Sequence, residues 1–238
     1  MRIERAPRPS LARHVARLSA TRSASAAPLL PDAAIELVWS GTGLFVRGAD
    51  TGPFAVGSFP ERTFAVLTFR PGAAARILGL SGRALADARV GISELWGRPA
   101  AECLESLLAS ATPREAMTIL EDAVAARADE APDLAVEAAV ALLRSPRTRV
   151  RDLAERLGYS ERQLHRRCVA ALGYGPKTLD RILRFQRFRS LSLAQPQLGL
   201  AELAGAAGYA DQAHLTREAL RLGGATPRTL VSETFKTA

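Results

Sequence analysis

The sequence is poor in the side chains that enzymes most often use for metal binding and nucleophilic chemistry. Its 238 residues include two cysteines and three histidines. The wide separation of Cys103 and Cys168 argues against a disulfide framework and is typical of the reducing cytosol. His14, His165 and His214 are too scattered for a metal site, and the sequence has no CxxC, HExxH or phosphate-binding loop. The sequence therefore predicts no metal, no cofactor and no catalytic residues.

Long apolar runs are also missing. No stretch approaches the roughly 20 apolar residues that a membrane-spanning helix needs. The first residues include Arg2, Glu4 and Arg5 and lack the apolar run of a signal peptide. We therefore expect a cytoplasmic protein without a membrane partner.

Acidic residues are scarce in only one part of the chain. Residues 1–145 carry 16 basic and 16 acidic side chains, whereas residues 146–238 carry 16 basic and 8 acidic ones. The whole net charge of +8 therefore falls on the second segment. Such a segment is typical of a region that contacts the phosphates of nucleic acid. A membrane surface could also attract it, but the basic residues are not gathered on one face opposite large apolar groups. Together with the helix-turn-helix pattern described next, the charge predicts double-stranded DNA as the partner and association with the nucleoid.

The basic segment contains one pattern twice. Four positions of the stretch 152–160 recur 50 residues later, namely Leu153, Ala154, Gly158 and Tyr159 as Leu203, Ala204, Gly208 and Tyr209. After the glycine the spacing becomes 51, as in Leu164, Arg166 and Pro176 against Leu215, Arg217 and Pro227. Each copy predicts a short amphipathic helix, a glycine turn and a second helix, which is the helix-turn-helix arrangement.

The turn residues fit this arrangement. A helix that ends just before Gly158 or Gly208 needs a left-handed residue next, and glycine adopts that conformation without a Cβ penalty. Ser160 and Asp211 then supply side-chain oxygens that can cap the second helix of each copy.

The second helix of each copy has one apolar face. Its inward positions recur at helical spacing, and they are Leu164, Cys168 and Leu172 in the first copy and Leu215, Ala219 and Leu222 in the second. Arg162 and Arg166 lie about 160 and 200 degrees around the helix from the first inward leucine, at about 100 degrees per residue. A solvated face would explain one such helix. Two copies with arginine at equivalent outward positions favour contacts with base edges in a major groove.

Residues 145–232 resemble the DNA-binding domain of AraC/XylS-type bacterial transcription regulators. The resemblance is most specific in the second copy, from Gly208 to Glu218 and at Thr226-Pro227. It implies seven helices, in which a connecting helix holds two helix-turn-helix units on one face of the DNA. Two positions depart from the family pattern, because Cys168 and Ala219 stand where the family usually has phenylalanine. These smaller side chains predict a thinner core.

The resemblance also implies which residues read the bases. Carried over by position, they are Arg162, Gln163, His165 and Arg166 in the first unit and Gln212, Ala213, Thr216 and Arg217 in the second. Arg166 and Arg217 are the first candidates, since a guanidinium can donate two hydrogen bonds to guanine O6 and N7. We expect the basic residues of the connecting helix, which are Lys177, Arg181, Arg184 and Arg187, to face phosphates or solvent.

The first half of the chain predicts strands followed by helices. Strands are predicted at 34–39, 44–47, 54–57 and 64–69, with a short helix at 10–17, a loop or strand edge at 19–27, and further helices at 73–78, 98–109, 113–127 and 132–143. The fold class is therefore α+β, with a mixed β-sheet module at 1–92, a helical connector packed with it at 93–145, and an all-α double helix-turn-helix domain at 146–238.

This first half also resembles a poorly characterised N-terminal domain found ahead of some of these DNA-binding domains. The resemblance rests on Leu30-Pro31-Asp32, Phe69-Arg70-Pro71-Gly72 and Leu95-Trp96-Gly97. It implies a module that senses a signal or dimerises. Trp39 and Trp96 are the first candidates for a ligand site, because an indole can stack on a ligand and still donate a hydrogen bond. A small-molecule effector, a second copy of the chain and RNA polymerase stay open as partners.

Two alternatives to a regulator remain at this point. Some members of the family fuse this DNA-binding domain to a DNA-repair alkyltransferase, so Cys103 is a candidate nucleophile. The sequence favours a buried core cysteine instead, because no histidine, basic residue or second cysteine adjoins it. The other alternative is an architectural protein that binds DNA without sequence preference.

Overall fold

An antiparallel β-sheet forms the centre of the first half of the chain. The computed structural model describes residues 2–24, 28–57, 60–146 and 148–237. The six strands are β1 (Arg2–Arg5), β2 (Val15–Ser23), β3 (Glu36–Trp39), β4 (Leu44–Arg47), β5 (Arg62–Phe69) and β6 (Arg89–Gly91). They lie in the order β1-β2-β5-β3-β4-β6. The α+β class is confirmed, and each strand pair is antiparallel, so the sheet is not the mixed one predicted.

The two faces of this sheet differ in burial. Leu37 stands opposite both Leu67 and Val46, and all three are fully buried. Side chains alternate between faces along a strand, so Glu36, Val38 and the residues beside them share the opposite face. The helices α3 (Ile92–Trp96), α4 (Arg98–Ala109) and α5 (Pro113–Ala125) pack on the sheet. We assign them to the fully buried face.

The predicted strands at 34–39, 44–47 and 64–69 and the four later helices are confirmed within a few residues. The first of those helices is α1 (Ala74–Leu78), and the last, α6 (Leu134–Leu143), follows α4 and α5. A four-residue helix, α2 (Gly82–Leu85), and the edge strands β1 and β6 were not predicted.

Three predictions near the N-terminus are wrong. The proposed helix at 10–17 is a 3₁₀ turn at Pro9–Leu11 followed by the start of β2. Residues 19–23 belong to β2, which pairs on both sides, whereas residues 25–27 lie outside the described chain. Segment 54–57 forms a single bridge, from Leu29 to Phe54, instead of a strand.

The second half of the chain is helical. Its helices are α7 (Val150–Arg156), α8 (Glu161–Leu172), α9 (Pro176–Ala194), α10 (Leu200–Ala207), α11 (Gln212–Gly223) and α12 (Pro227–Thr237). Helix α6 packs against α7, α8 and α9 and completes the seven that the resemblance implies. None of the described helices is both long and apolar enough to cross a membrane.

Helix α9 contributes two phenylalanines to the core of the helical half. Phe185 and Phe188 are fully buried, and so are the two small residues Cys168 and Ala219. The ring of Phe185 reaches α11, where a Cβ added to Gly223 would lie 3.0 Å from its Cζ. Burial, followed by the charge of Asp133, raises the pKa of the Cys168 thiol to about 12. The core of the helical half thus contains large aromatic side chains from α9 as well as the small residues Cys168 and Ala219.

Candidate DNA-binding surface

Each helix-turn-helix unit is fixed by the predicted turn chemistry. Gly158 and Gly208 have φ of +73° and +91°, the left-handed conformation that glycine tolerates best. The Ser160 hydroxyl accepts a hydrogen bond from the Gln163 amide at 3.2 Å, and the Asp211 carboxylate accepts one from the His214 amide at 2.6 Å. Both predicted N-caps are therefore confirmed, and they fix where the recognition helices α8 and α11 begin.

The recognition helices present most of the predicted base-reading residues to solvent. Seven are exposed (Arg162, Gln163, His165, Arg166, Gln212, Ala213 and Arg217), and Thr216 is half-buried. Two of these side chains have local partners. The Gln163 amide oxygen accepts the Ser160 backbone N–H at 2.9 Å, and the Thr216 hydroxyl donates to the Gln212 carbonyl at 2.9 Å.

The arginines of the helical half fall into two groups. Arg162, Arg166 and Arg217 have no hydrogen-bond or ion-pair partner among the residues that the structure describes, so all their donors are available. The connecting helix α9 differs. Arg181 pairs with Glu218 through two hydrogen bonds of 2.8 and 2.9 Å, which tie α9 to α11.

The expectation that the arginines of α9 face phosphates or solvent is wrong. Besides Arg181, Arg187 donates to the carbonyls of Leu143 and Ala207 at 2.8 and 2.6 Å, closing the ends of α6 and α10. Arg184 pairs with Asp180 one turn away. Arg181 and Arg187 therefore hold helices together, whereas the Arg184 ion pair lies within α9. Lys177, at the start of α9, is exposed as expected.

A basic groove runs beside the first recognition helix. Its volume is about 570 Å³, and its lining includes three basic side chains and one acidic one, together with His165 and Thr178; the charged residues are Arg151, Arg162, Lys177 and Glu161. The lining side chains come from α7, α8 and the start of α9. Cations around a groove next to an exposed helix face suit a phosphate backbone.

The other end of α8 is covered by the N-terminal half. A Cβ added to Gly82 of α2 would lie 2.5 Å from backbone atoms of Ala171 and Leu172, so the two backbones touch. The Arg167 side chain forms an ion pair with Asp133 at 2.8 Å. Only the N-terminal part of α8 is therefore free to enter a groove.

The loop after β4 reaches the second recognition helix. Pro53 packs on the end of α11, since a Cβ at Gly224 would lie 3.2 Å from its Cγ. The preceding residue, Gly52, approaches the Arg221 carbonyl. Nearby, Tyr174 from the turn between α8 and α9 is buried. Both helix-turn-helix units thus touch the first half of the chain.

The sheet face opposite α3 to α5 contains an apolar cavity of about 430 Å³. Its lining includes the apolar side chains Leu29, Val38, Phe45, Phe54, Val56, Phe64 and Val66 and the charged ones Glu36, Arg47 and Arg89. Trp39 is buried in the other face of the sheet, and Trp96 lies under the Arg127 guanidinium at 4.0 Å. Neither tryptophan is among the side chains that line this cavity. The sequence sign of this cavity lay in Val38, one position before Trp39, and in Phe45, with which Val38 pairs across the strands.

A buried charge network adjoins the cavity. The Arg47 guanidinium, 5% exposed, contacts carboxylate oxygens of Asp32, Glu36 and Asp50 at 3.0 to 3.2 Å. Asp50 also accepts two hydrogen bonds from Arg89, whose guanidinium lies 4.0 Å above the Phe54 ring. Burial alone would lower the pKa of Arg47, but Glu36, Asp32 and Asp50 raise it above its ordinary value. No local pattern in the sequence indicates this network.

Cys103 is exposed on α4, so the preference for a buried core cysteine is wrong. No histidine lies on that helix, and the polar side chains nearest to Cys103 in the sequence are Glu102, Glu105 and Ser106.

The match to a protein-family model agrees with this geometry. A family model described as "Helix-turn-helix domain" matches residues 153–232, which run from α7 into α12. No curated protein sequence matches the chain.

Solved structures that are similar have low identity. The C-terminal domain of AraT, a response regulator from Geobacillus stearothermophilus, is 21% identical, with 42% of this chain and 82% of that chain covered and a TM-score of 0.38. ToxT from Vibrio cholerae O395 is 12% identical, with 89% and 95% covered and a TM-score of 0.49. A ToxT structure from Vibrio cholerae strain SCE256 with bound unsaturated fatty acid is 10% identical, with 89% and 92% covered and a TM-score of 0.45.

The matched residues coincide with the two capped helix-turn-helix units and the helix that connects them. The C-terminal part of the chain is therefore an AraC-type helix-turn-helix domain, the DNA-binding domain of a family of bacterial transcription regulators.

Proposed function

We propose that the chain regulates transcription by binding a specific double-stranded DNA sequence through α8 and α11. The observation that supports this most is the state of Arg166 and Arg217, which lie at equivalent exposed positions of the repeat with their donors unpaired within the described part of the chain. Gln212, Ala213 and Thr216 in the second unit, and Arg162, Gln163 and His165 in the first, complete the proposed base-reading set. Contact with RNA polymerase, dimerisation and association with the nucleoid belong to the same proposal.

The proposed DNA site follows from the length of α9. This helix has 19 residues, or roughly 28 Å at about 1.5 Å per residue. Successive major grooves on one face of B-DNA lie about 34 Å apart. One chain therefore spans two adjacent groove segments, with any mismatch met by bending of the DNA. We also propose that the chain divides into units at 1–92, 93–145 and 146–238, with α6 of the connector packed on the last one.

We expect the binding site to be asymmetric and about 15–20 base pairs long, because the two recognition helices carry different residues. Footprinting of the full chain on a site selected from random DNA measures this. One bound chain should protect two unlike half-sites. A footprint in which each chain contacts only one half-site, so that two chains are needed for one palindromic site, would contradict the assignment.

The same selection separates the two alternatives. An architectural protein should enrich no motif. An alkyltransferase should transfer an alkyl group to Cys103, and Cys103→Ser should then abolish the transfer. We expect one enriched motif and no transfer, because α4 offers the thiol no activating group.

We further propose that the apolar cavity binds a small apolar effector. Its volume of about 430 Å³ lies within the usual range for small-molecule sites, and apolar side chains surround a few charged ones. The cavity is connected to the DNA-binding half. Phe54 lines it, and Pro53, the preceding residue, packs on the end of α11. A molecule that displaces Phe54 therefore moves the loop that supports the second recognition helix.

Filling the cavity tests this proposal. A medium-chain alcohol should raise the melting temperature of the wild-type chain, because a ligand that binds only the folded state stabilises it. Val38→Phe should abolish that rise by occupying the space. Leu107→Phe, at an exposed site on α4, is the control and should leave the rise unchanged. An equal rise in wild type and Val38→Phe would place the ligand elsewhere.

A further inference from the structure

His165 and Gly175 form a close contact in the first helix-turn-helix unit. Gly175 is the N-cap of α9 and has φ −82° and ψ 175°, a conformation that any residue adopts. The glycine is therefore not needed for its backbone. A Cβ at this position would instead lie 2.4 Å from Nδ1 and 2.5 Å from Cε1 of the His165 imidazole. The missing side chain leaves the space that the ring occupies.

At the equivalent positions the second unit has a smaller side chain in place of the imidazole and a side chain in place of the glycine. At the spacing of 51 residues, His165 corresponds to Thr216 and Gly175 to Thr226. The Thr226 hydroxyl accepts a hydrogen bond from the Thr229 amide at 3.3 Å in the first turn of α12. In contrast, α9 begins without a side-chain cap. The first unit thus combines a large ring with a bare glycine, and the second combines a small side chain with a capping threonine.

The position of the imidazole indicates what this difference between the two units does. His165 is exposed on α8 and lines the basic groove together with Arg162, Lys177 and Thr178. An imidazole that rests on backbone loses part of its rotamer freedom before DNA binds, so less entropy is lost on binding.

We propose that Gly175 is a positioning residue for DNA recognition: its lack of a side chain seats the His165 imidazole over the turn between α8 and α9, oriented toward the DNA groove. The proposal rests on the proposed function of the recognition helices. It makes His165 a fixed specificity determinant of the first half-site, without an equivalent in the second.

The variant Gly175→Ser separates this role from stability. The introduced hydroxyl would supply the N-cap that α9 lacks, and serine is at least as good a cap as glycine. The added Cβ would still collide with the imidazole. Gly175→Ser should therefore keep or raise the melting temperature. Binding of the full chain to its selected site should nevertheless fall about tenfold, which is within the range for one lost base contact.

The control variants test whether the loss of affinity in Gly175→Ser depends on His165. In a His165→Ala background, Gly175→Ser should change affinity by less than about twofold, because the coupled partner is gone. Gly199→Ala alters the N-cap glycine of α10, where a Cβ meets only Glu202 Oε2 at 3.5 Å. It should leave the base preference of the first half-site unchanged, whereas Gly175→Ser should relax it.

Nuclear Overhauser contacts between the His165 ring protons and the Gly175 Hα in the free protein provide a readout that does not depend on DNA. We expect these contacts in the wild type and their loss in Gly175→Ser. Their absence from the wild type would show that the His165 ring does not rest on Gly175. If they are present, an equal loss of affinity with and without His165 would overturn the positioning role. A wild-type chain that enriches no motif would refute the proposed function and with it the role of Gly175 in recognition. The Overhauser contacts would still show, independently of DNA, whether the His165 ring rests on Gly175.

Discussion

Replacement of Arg47 by methionine is expected to destabilise the folded chain by about 3–5 kcal/mol, the usual result of removing one partner from a buried ion network. Arg47 is the common partner of Asp32, Glu36 and Asp50, and its side chain is 5% exposed. Methionine nearly fills the volume but leaves buried carboxylates without their cation. Urea unfolding followed by circular dichroism measures the change.

Two further variants show where that loss comes from. Arg76→Met removes an ion pair with Glu130 whose side chains are 49% and 68% exposed, and it should cost less than about 1 kcal/mol. Adding Glu36→Gln and Asp50→Asn to Arg47→Met should recover part of the stability, because the uncompensated charges are then removed. A loss for Arg47→Met no larger than that for Arg76→Met would show that the network is solvated in solution.

The second large effect is expected on DNA binding. Arg166→Ala and Arg217→Ala should each weaken binding to the preferred site by about 1–3 kcal/mol and relax one position of the motif. The physical reason is the loss of a bidentate guanidinium contact with a base edge. Fluorescence anisotropy with the selected site and with single-base variants measures both changes.

Lys177→Ala is the matched control for these arginines. Lys177 is exposed beside the same groove but stands at the start of α9, where a phosphate contact is expected. Its removal should weaken binding to all sequences about equally and reduce the salt dependence by about one charge. If Arg166→Ala behaved like Lys177→Ala, Arg166 would be a phosphate contact and the predicted base-reading face would be wrong.

The helical half was predictable because its determinants are local. Gly158 and Ser160 lie within three residues of each other and define a turn and a cap, and Gly208 and Asp211 do the same. Helical periodicity then separates the inward leucines from the outward arginines. The repeat made the assignment firm, since each copy checks the other.

Contacts that are distant in sequence were not predictable. The partner of Arg181 is 37 residues away, and the carbonyls that Arg187 closes belong to Leu143 and Ala207. A basic residue on a predicted helix face gives no sign of such a partner, so the arginines of α9 were assigned to phosphates or solvent.

The misjudged N-terminal segment has a similar cause. The stretch 15–23 has weak apolar alternation, yet it is a strand because β1 and β5 pair with it on both sides. The ligand candidates Trp39 and Trp96 were chosen for their chemistry. The cavity is lined instead from the other side of the sheet, by neighbours such as Val38 and Phe45. Which face of a sheet stays open depends on the packing of helices that follow later in the chain.

Selection of binding sites from random DNA by the full chain, with the Arg166→Ala/Arg217→Ala double variant in parallel, tests sequence-specific recognition most directly. The wild type should enrich one asymmetric motif of about 15–20 base pairs, and the double variant should lose information at one position in each half-site. Enrichment of no motif by the wild type, or of the same motif by both proteins, would contradict recognition through α8 and α11.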